Sequence, residues 1–102
     1  MVDYQVKVQW TGPAEADLKN IFQYISKDSE YFADQIIDSL IDASLRLEQH
    51  PKMGRVIPET EDDHLREVIV LNYRLMYEII DPYRIDVIAV IHGATDFKGF
   101  DK

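Results

Sequence analysis

The sequence predicts a single two-layer α+β domain, in which an antiparallel helix hairpin covers one face of a mostly antiparallel four-stranded sheet. Three observations predict this fold class. An alternating apolar pattern begins the chain, two helical apolar stripes follow it, and three short apolar runs separated by tight turns come last. The length of 102 residues is that of one domain, spanning residues 1–102.

The N-terminal strand is predicted by period-2 alternation. Its apolar side chains share one face: Tyr4, Val6, Val8 and Trp10. The segment 11–13 then breaks the strand, and Pro13 suits the first position of a helix, where its missing N–H costs nothing. Apolar residues at helical spacing from Ala14 to Ile25 predict an amphipathic helix over residues 13 to about 27.

A second helix follows a short polar break. Asp28 or Ser29 can cap it, and an apolar stripe from Phe32 to Leu47 continues at helical spacing. Pro51 ends it, because the residue before a proline is pushed out of the α region. Two helices joined by so short a turn should pack as an antiparallel hairpin.

The C-terminal half is predicted to be a three-stranded meander after an irregular loop over residues 51–64. The strands are Leu65–Leu71, Arg74–Ile80 and Arg84–Ile91, joined by turns at Asn72-Tyr73 and Asp81-Pro82-Tyr83. The last strand is apolar almost throughout, which predicts burial on both faces and a position inside the sheet. The tail over residues 93–102 has no periodicity and is predicted to be irregular.

Composition narrows the class of protein. Hydrophobic residues make up 46% and charged residues 29%, as in a folded domain, and there is no cysteine for a disulfide, a nucleophile or a thiolate metal site. The net charge of −8 disfavours non-specific binding to nucleic acid or to a membrane surface. No apolar run is long enough to span a bilayer, and the three histidines match no ligand spacing. We therefore expect a cytoplasmic protein without metal or cofactor.

Five stretches of the chain resemble the RelE/ParE superfamily of type II toxin–antitoxin toxins, in the family's order and spacing. They cover residues 16–25, 50–59, 65–67, 73–79 and 87–93. The loop Pro51-Lys52-Met53-Gly54-Arg55, the pair Pro58-Glu59 and the terminal His92-Gly93 are closer to the ParE-like side. The resemblance extends over about residues 3–97, nearly the whole chain.

The resemblance implies a toxin that a cognate antitoxin neutralises by wrapping around it. ParE-like members inhibit DNA gyrase and are not nucleases, whereas RelE-like members cut mRNA in the ribosomal A site. We therefore expect a ParE-like toxin that inhibits growth by binding a cellular target such as gyrase. Two alternatives remain: a metal-free, ribosome-dependent endoribonuclease, and a non-toxic member that only binds its antitoxin.

The nuclease alternative assigns three catalytic residues by resemblance. Arg74 lies where mRNase toxins carry an arginine that stabilises the phosphorane, and Glu59 matches the glutamate base of YoeB-like members. His92 closes the last strand, where it would serve in acid–base chemistry. Active RelE-like toxins usually carry an arginine just after this strand. The segment 93–97, Gly-Ala-Thr-Asp-Phe, has none, which favours binding over catalysis.

Ordinary structural roles compete with these functional ones. Arg74 can pair with Glu67 across the hairpin. His92 can be a hydrogen-bonded strand end, and Glu59 can belong to a solvated acidic run. For a ParE-like toxin, the candidate target-binding residues are the cations Lys52, Arg55 and Arg66. The expected partners are the antitoxin and either gyrase or the ribosome, with a homodimer as a further option and no membrane.

Overall fold

The computed structural model describes residues 5–93, which form two helices and five strands. The predicted first strand residue Tyr4 and the predicted irregular tail, apart from Gly93, lie outside the described residues. The elements in chain order are β1 (Lys7–Trp10), α1 (Gly12–Ser26), α2 (Glu30–Arg46), β2 (Arg55–Val56), β3 (Leu65–Val70), β4 (Tyr73–Asp81) and β5 (Arg84–His92).

The sheet has the strand order β1-β5-β4-β3-β2. β1 runs parallel to β5, and the other neighbouring pairs are antiparallel. The predicted α+β architecture is confirmed, and β5 lies inside the sheet as its apolar sequence predicts. The sheet has five strands where the sequence predicted four, because Arg55 and Val56 pair with Glu67 and Arg66 of β3.

Side-chain caps fix where both helices begin. The Thr11 hydroxyl accepts a hydrogen bond from the backbone N–H of Ala14, and the Ser29 hydroxyl accepts one from Phe32. α2 ends at Arg46, earlier than Pro51 alone requires. The backbone N–H groups of residues 47–49 bond three residues back, so a tight turn leads from the helix into the loop.

The helix hairpin covers one face of the sheet, and the main core lies between the two layers. Its buried side chains include Leu40 of α2, Leu47 directly after α2, Leu75 and Tyr77 of β4, and Val87 of β5. A carboxylate oxygen of Asp17 on α1 accepts a hydrogen bond of 2.9 Å from the backbone N–H of Val90. β1 ends opposite Val87, and beyond that point β5 lies next to α1.

The opposite face carries a smaller apolar cluster of Ile57, Met76, Ile88 and Ala89. Within residues 5–93, no helix is long and apolar enough to cross a bilayer. The β3–β4 turn lies one residue earlier than predicted, at Leu71-Asn72, because Val70 pairs with Tyr73. Leu71 has a positive φ of 56°, which leucine propensity does not predict.

Candidate functional site

The helix-free face of the sheet carries four charged side chains in a row, which we call the ion chain: Arg55, Glu67, Arg74 and Glu59. Three strands and the loop after β2 contribute to it. Arg74 stands opposite Ile69 and Glu67 opposite Met76, so the two are diagonal neighbours on one face of the β3–β4 hairpin. Arg55 of β2 lies directly opposite Glu67.

Glu67 is the centre of the ion chain, and its side chain is fully buried, with 0% exposure. One carboxylate oxygen accepts from Arg74 Nε at 2.7 Å and lies 2.6 Å from Arg74 Nη2. The other accepts from Arg55 Nε at 2.7 Å and lies 2.6 Å from Arg55 Nη2. Two guanidinium groups therefore compensate the buried negative charge.

Arg74 is held from its other side by Glu59. The Nη1 and Nη2 atoms donate to the two carboxylate oxygens of Glu59 at 2.9 and 2.7 Å, the bidentate geometry that a guanidinium prefers. The Arg74 side chain is only 7% exposed. Hydrogen bonding to Glu59, reinforced by Glu67 and opposed by burial, raises the pKa of Arg74, so it stays charged at every working pH.

The ion chain leaves the Arg74 guanidinium poorly placed to bind a phosphate. Its donors already bind two carboxylates, and an incoming phosphate would have to displace Glu59. The pairing of Arg74 with Glu67 expected across the hairpin is present. Glu59 binds Arg74 as well, so it is more than one charge of a solvated run.

His92 lies on the other face of the sheet. In the β4–β5 register Arg74 stands opposite Ile91, whereas Tyr73 stands opposite His92. Successive strand residues point to opposite faces, and Tyr73 packs against the core under the helices. The imidazole meets the Tyr73 ring edge-on, with 5.9 Å between ring centroids. The structure therefore brings Glu59 and Arg74 together and separates both from His92.

The three candidate target-binding cations occupy different environments. Lys52 is exposed, and the Arg55 side chain is 62% exposed although its head binds Glu67. Arg66 has a side chain only 13% exposed, and it donates to the Gly54 carbonyl at 2.9 Å and to the Asp63 carboxylate at 2.7 Å. Arg66 thus holds two loops against β3, whereas Lys52 and Arg55 face outward.

Sequence reasoning missed the residue that supports the loop over residues 51–54, which we call the 51–54 loop. The buried Tyr77 hydroxyl donates to the Pro51 carbonyl at 2.7 Å and accepts from the Gly54 N–H at 3.0 Å. Burial raises the pKa of this hydroxyl. A Cβ on Gly54 would lie 2.5 Å from the Glu67 carbonyl oxygen, so only glycine allows this close approach. The aromatic pattern of β4 carries no signal for these bonds.

Exposed apolar side chains lie on both layers of the molecule. Ile69 is exposed on the helix-free face beside Arg74, and Ile41 and Leu45 are exposed on α2. Met53 is exposed in the 51–54 loop. Among residues 5–93, no group of three or more histidine or carboxylate side chains is placed to hold a metal ion.

Comparison with known proteins gives one family match and several structural ones. The family model described as the ParE toxin of type II toxin–antitoxin system, parDE, matches residues 8–97. No curated protein matches the chain at a significant level.

Two solved structures with this fold are similar to the chain. The chromosomal ParDE toxin–antitoxin system from P. aeruginosa has a TM-score of 0.71 at 17% identity, covering 88% of this chain and 98% of that one. The toxin–antitoxin complex RelBE2 from Mycobacterium tuberculosis has a TM-score of 0.62 at 18% identity, covering 86% of this chain and 98% of that one. At such identities the likeness shows the fold alone.

Proposed function

The chain belongs to the ParE toxin family of type II toxin–antitoxin systems, and we propose that it inhibits growth by binding a protein target, with DNA gyrase the first candidate. A cognate antitoxin neutralises it. The similar structures are toxin–antitoxin systems, which supports an antitoxin partner for this chain as well.

One observation supports binding over catalysis most strongly: the residues a nuclease would need do not meet. Arg74 is enclosed by Glu59 and Glu67, and His92 lies on the far side of the sheet. A general acid must come within hydrogen-bond reach of the group it protonates. An acid at His92 and a phosphate at Arg74 would be separated by the sheet itself, so this arrangement suits a structural role for Arg74.

The 51–54 loop is the surface we assign to the target. It presents Lys52 and Met53 outward, while Tyr77 and Arg66 bind its carbonyl groups from the sheet side. A binding loop fixed to a rigid scaffold loses little conformational entropy when a partner docks. Arg55 continues this surface as an exposed cation, and Arg66 acts as a positioning residue beneath it.

The antitoxin, in this proposal, covers the exposed apolar side chains outside the 51–54 loop. Ile69 lies on the helix-free face, and Ile41 and Leu45 lie one turn apart on α2. An amphipathic helix or an added strand can bury such side chains. The net charge of −8 favours an antitoxin segment that carries basic residues around its apolar anchors.

A supercoiling assay with purified gyrase tests the target. The wild-type chain should abolish supercoiling, and Lys52→Glu should weaken the inhibition about tenfold or more, because it reverses a charge at the proposed contact. Lys19→Glu makes the same charge change at an exposed position on α1 and should inhibit like wild type. Undiminished supercoiling at a large molar excess of wild-type protein would refute gyrase as the target.

The nuclease alternative retains one supporting observation: Glu59 and Arg74 lie together, although a phosphate could bind Arg74 only by displacing Glu59. It predicts cleavage of a message in a translating extract, lost in Glu59→Gln. Intact message with the wild-type chain would exclude it. The non-toxic alternative predicts normal growth when the chain is expressed without an antitoxin.

A further inference from the structure

A pocket lies between the β4–β5 turn and the start of the 51–54 loop, and we call it the Lys52 pocket. Its volume is about 290 Å³. The residues that line it are partly or fully buried apolar ones, Val6, Pro51, Ile79 and Ile85, and exposed ones on the rim, Lys52, His64, Asp81 and Pro82. Ligand pockets start at about 300 Å³ and are mostly apolar with a few polar groups. The Lys52 pocket therefore has the size and character to take one large side chain.

The Lys52 pocket is an opening into the main core. Ile85 belongs to that core with 0% exposure, and Val6 and Ile79 pack against it. All the lining residues come from strands, turns and loops, and neither helix contributes one of them. The pocket thus lies where the sheet extends past the cover of the helix hairpin, so its apolar walls are open to water.

Hydrogen bonds hold the walls of the Lys52 pocket in place. The His64 carbonyl accepts from the Ile79 N–H at 2.8 Å, and the His64 N–H donates to the Asp62 carboxylate at 2.9 Å. On the other side, the Pro51 carbonyl accepts from the Tyr77 hydroxyl at 2.7 Å. A cavity with fixed walls loses little conformational entropy when a ligand enters, so this pocket is ready for an occupant.

The charges on the rim indicate what the occupant carries. Asp81 lies opposite Arg84 in the β4–β5 register, and the His64 ring lies 3.7 Å from the Asp62 carboxylate. The Lys52 ammonium makes no ion pair within residues 5–93. An unpaired cation beside an apolar cavity is complementary to a ligand that joins an apolar group to a carboxylate.

We propose that the Lys52 pocket receives an apolar side chain of the target protein, and that a neighbouring carboxylate of the target pairs with Lys52. This inference rests on the proposed function, because the pocket borders the 51–54 loop that we assign to the target. Anchors that fill a pocket carry most of the binding energy of an interface. An exposed ion pair adds little affinity, so Lys52 chiefly orients the target's anchoring segment.

A titration of the isolated full-length chain tests the pocket without any target. The probe is 3-phenylpropionate, which joins an aromatic ring to a carboxylate. It should shift the methyl resonances of Val6, Ile79 and Ile85 saturably, with a Kd in the millimolar range expected of so small a ligand. Lys52→Gln should raise that Kd about threefold, the usual effect of losing an exposed ion pair. Lys27→Gln, at an exposed position after α1, should leave it unchanged.

The neutral analogue 3-phenylpropanol separates the apolar contact from the ion pair. Its Kd should be the same for wild type and Lys52→Gln. Val6→Thr keeps the shape of one wall but makes it polar, so it should weaken both probes about equally. Absence of saturable shifts at Val6, Ile79 and Ile85, or equal effects of Lys52→Gln on both probes, would overturn the proposal. The same shifts on concentrating the chain alone would assign the pocket to a second copy and overturn it as well.

Competition in the supercoiling assay connects the pocket to the target. With 3-phenylpropionate at three times its Kd, about four times as much chain should be needed for half-inhibition of gyrase. Sodium acetate at the same concentration is the salt control and should have no such effect. Inhibition unchanged by a probe that binds the pocket would overturn the proposal. A wild-type chain that leaves supercoiling intact would instead refute gyrase as the target, and the titration would then decide the pocket by itself.

Discussion

Replacing Glu67 by glutamine tests the role of the ion chain, since it removes one buried charge and changes almost nothing in size. The amide oxygen can still accept a hydrogen bond from Arg74. The amide nitrogen is a donor, however, so it would leave the Arg55 donors without an acceptor. Arg55 can turn its exposed head into water, whereas Arg74 stays buried beside Glu59. The variant therefore leaves the ion chain with two guanidinium groups and one carboxylate.

The size of the effect follows from the burial of each partner. Breaking a fully buried ion pair by removing one partner costs about 3–5 kcal/mol. We take the lower end, about 3 kcal/mol, because Glu59 still neutralises Arg74 and Arg55 can rehydrate. For a domain of this size, that loss lowers the melting temperature by on the order of 15 °C.

Thermal unfolding followed by the fluorescence of Trp10, the single tryptophan, measures this loss, since the indole packs against the main core. Asp86→Asn is the matched control, because Asp86 is also a buried carboxylate but pairs with one arginine, Arg84, whose side chain is 48% exposed. Arg84 can turn its exposed side into water when Asp86 loses its charge, so the control should shift less than Glu67→Gln. Equal shifts for Glu67→Gln and Asp86→Asn would refute the reasoning that the buried ion chain stabilises the fold more than a pair with one half-exposed partner does.

The remaining predictions concern the support of the 51–54 loop. Gly54→Ala should lower the unfolding free energy by about 1–3 kcal/mol, measured by urea titration. The reason is that the added Cβ would lie 2.5 Å from the Glu67 carbonyl oxygen and 2.7 Å from the Tyr77 hydroxyl. A variant as stable as wild type would contradict this prediction. Burial raises the pKa of Tyr77 above its usual 10.0, so the folded state favours the neutral phenol and stability should fall as the pH rises through and beyond that value. Tyr77→Phe loses two hydrogen bonds, so it should be less stable than wild type at neutral pH. Its stability should fall less as the pH rises above about 10, and parallel stability profiles for wild type and the variant would refute this explanation.

The secondary structure could be predicted because the apolar patterns of this chain are long and regular. Both helices and the three meander strands carry clear periodicity, and the pairing of Arg74 with Glu67 follows from their proximity in a hairpin. β2 could not be predicted, since Arg55 and Val56 are too few to show any period. The position of the β3–β4 turn was also missed, because a leucine with a positive φ runs against its propensity.

The arrangement of the candidate site depends on register, which sequence patterns do not reveal. The face on which His92 lies is decided by its pairing with Tyr73. The second carboxylate that binds Arg74 comes from a loop residue, Glu59, fifteen positions away along the chain. These contacts join segments whose relative placement only the folded chain fixes.

Growth after induced expression without an antitoxin tests the central claim, that the chain is a toxin acting by binding and not by catalysis. Wild type would be compared with Glu59→Gln and His92→Gln, which remove the two groups that a nuclease would use for proton transfer. The account predicts that all three arrest growth to the same extent at equal protein levels. Arrest by wild type, with normal growth of one or both variants at the same protein level, would contradict the binding account and favour catalysis. Normal growth in all three cultures would refute toxicity itself.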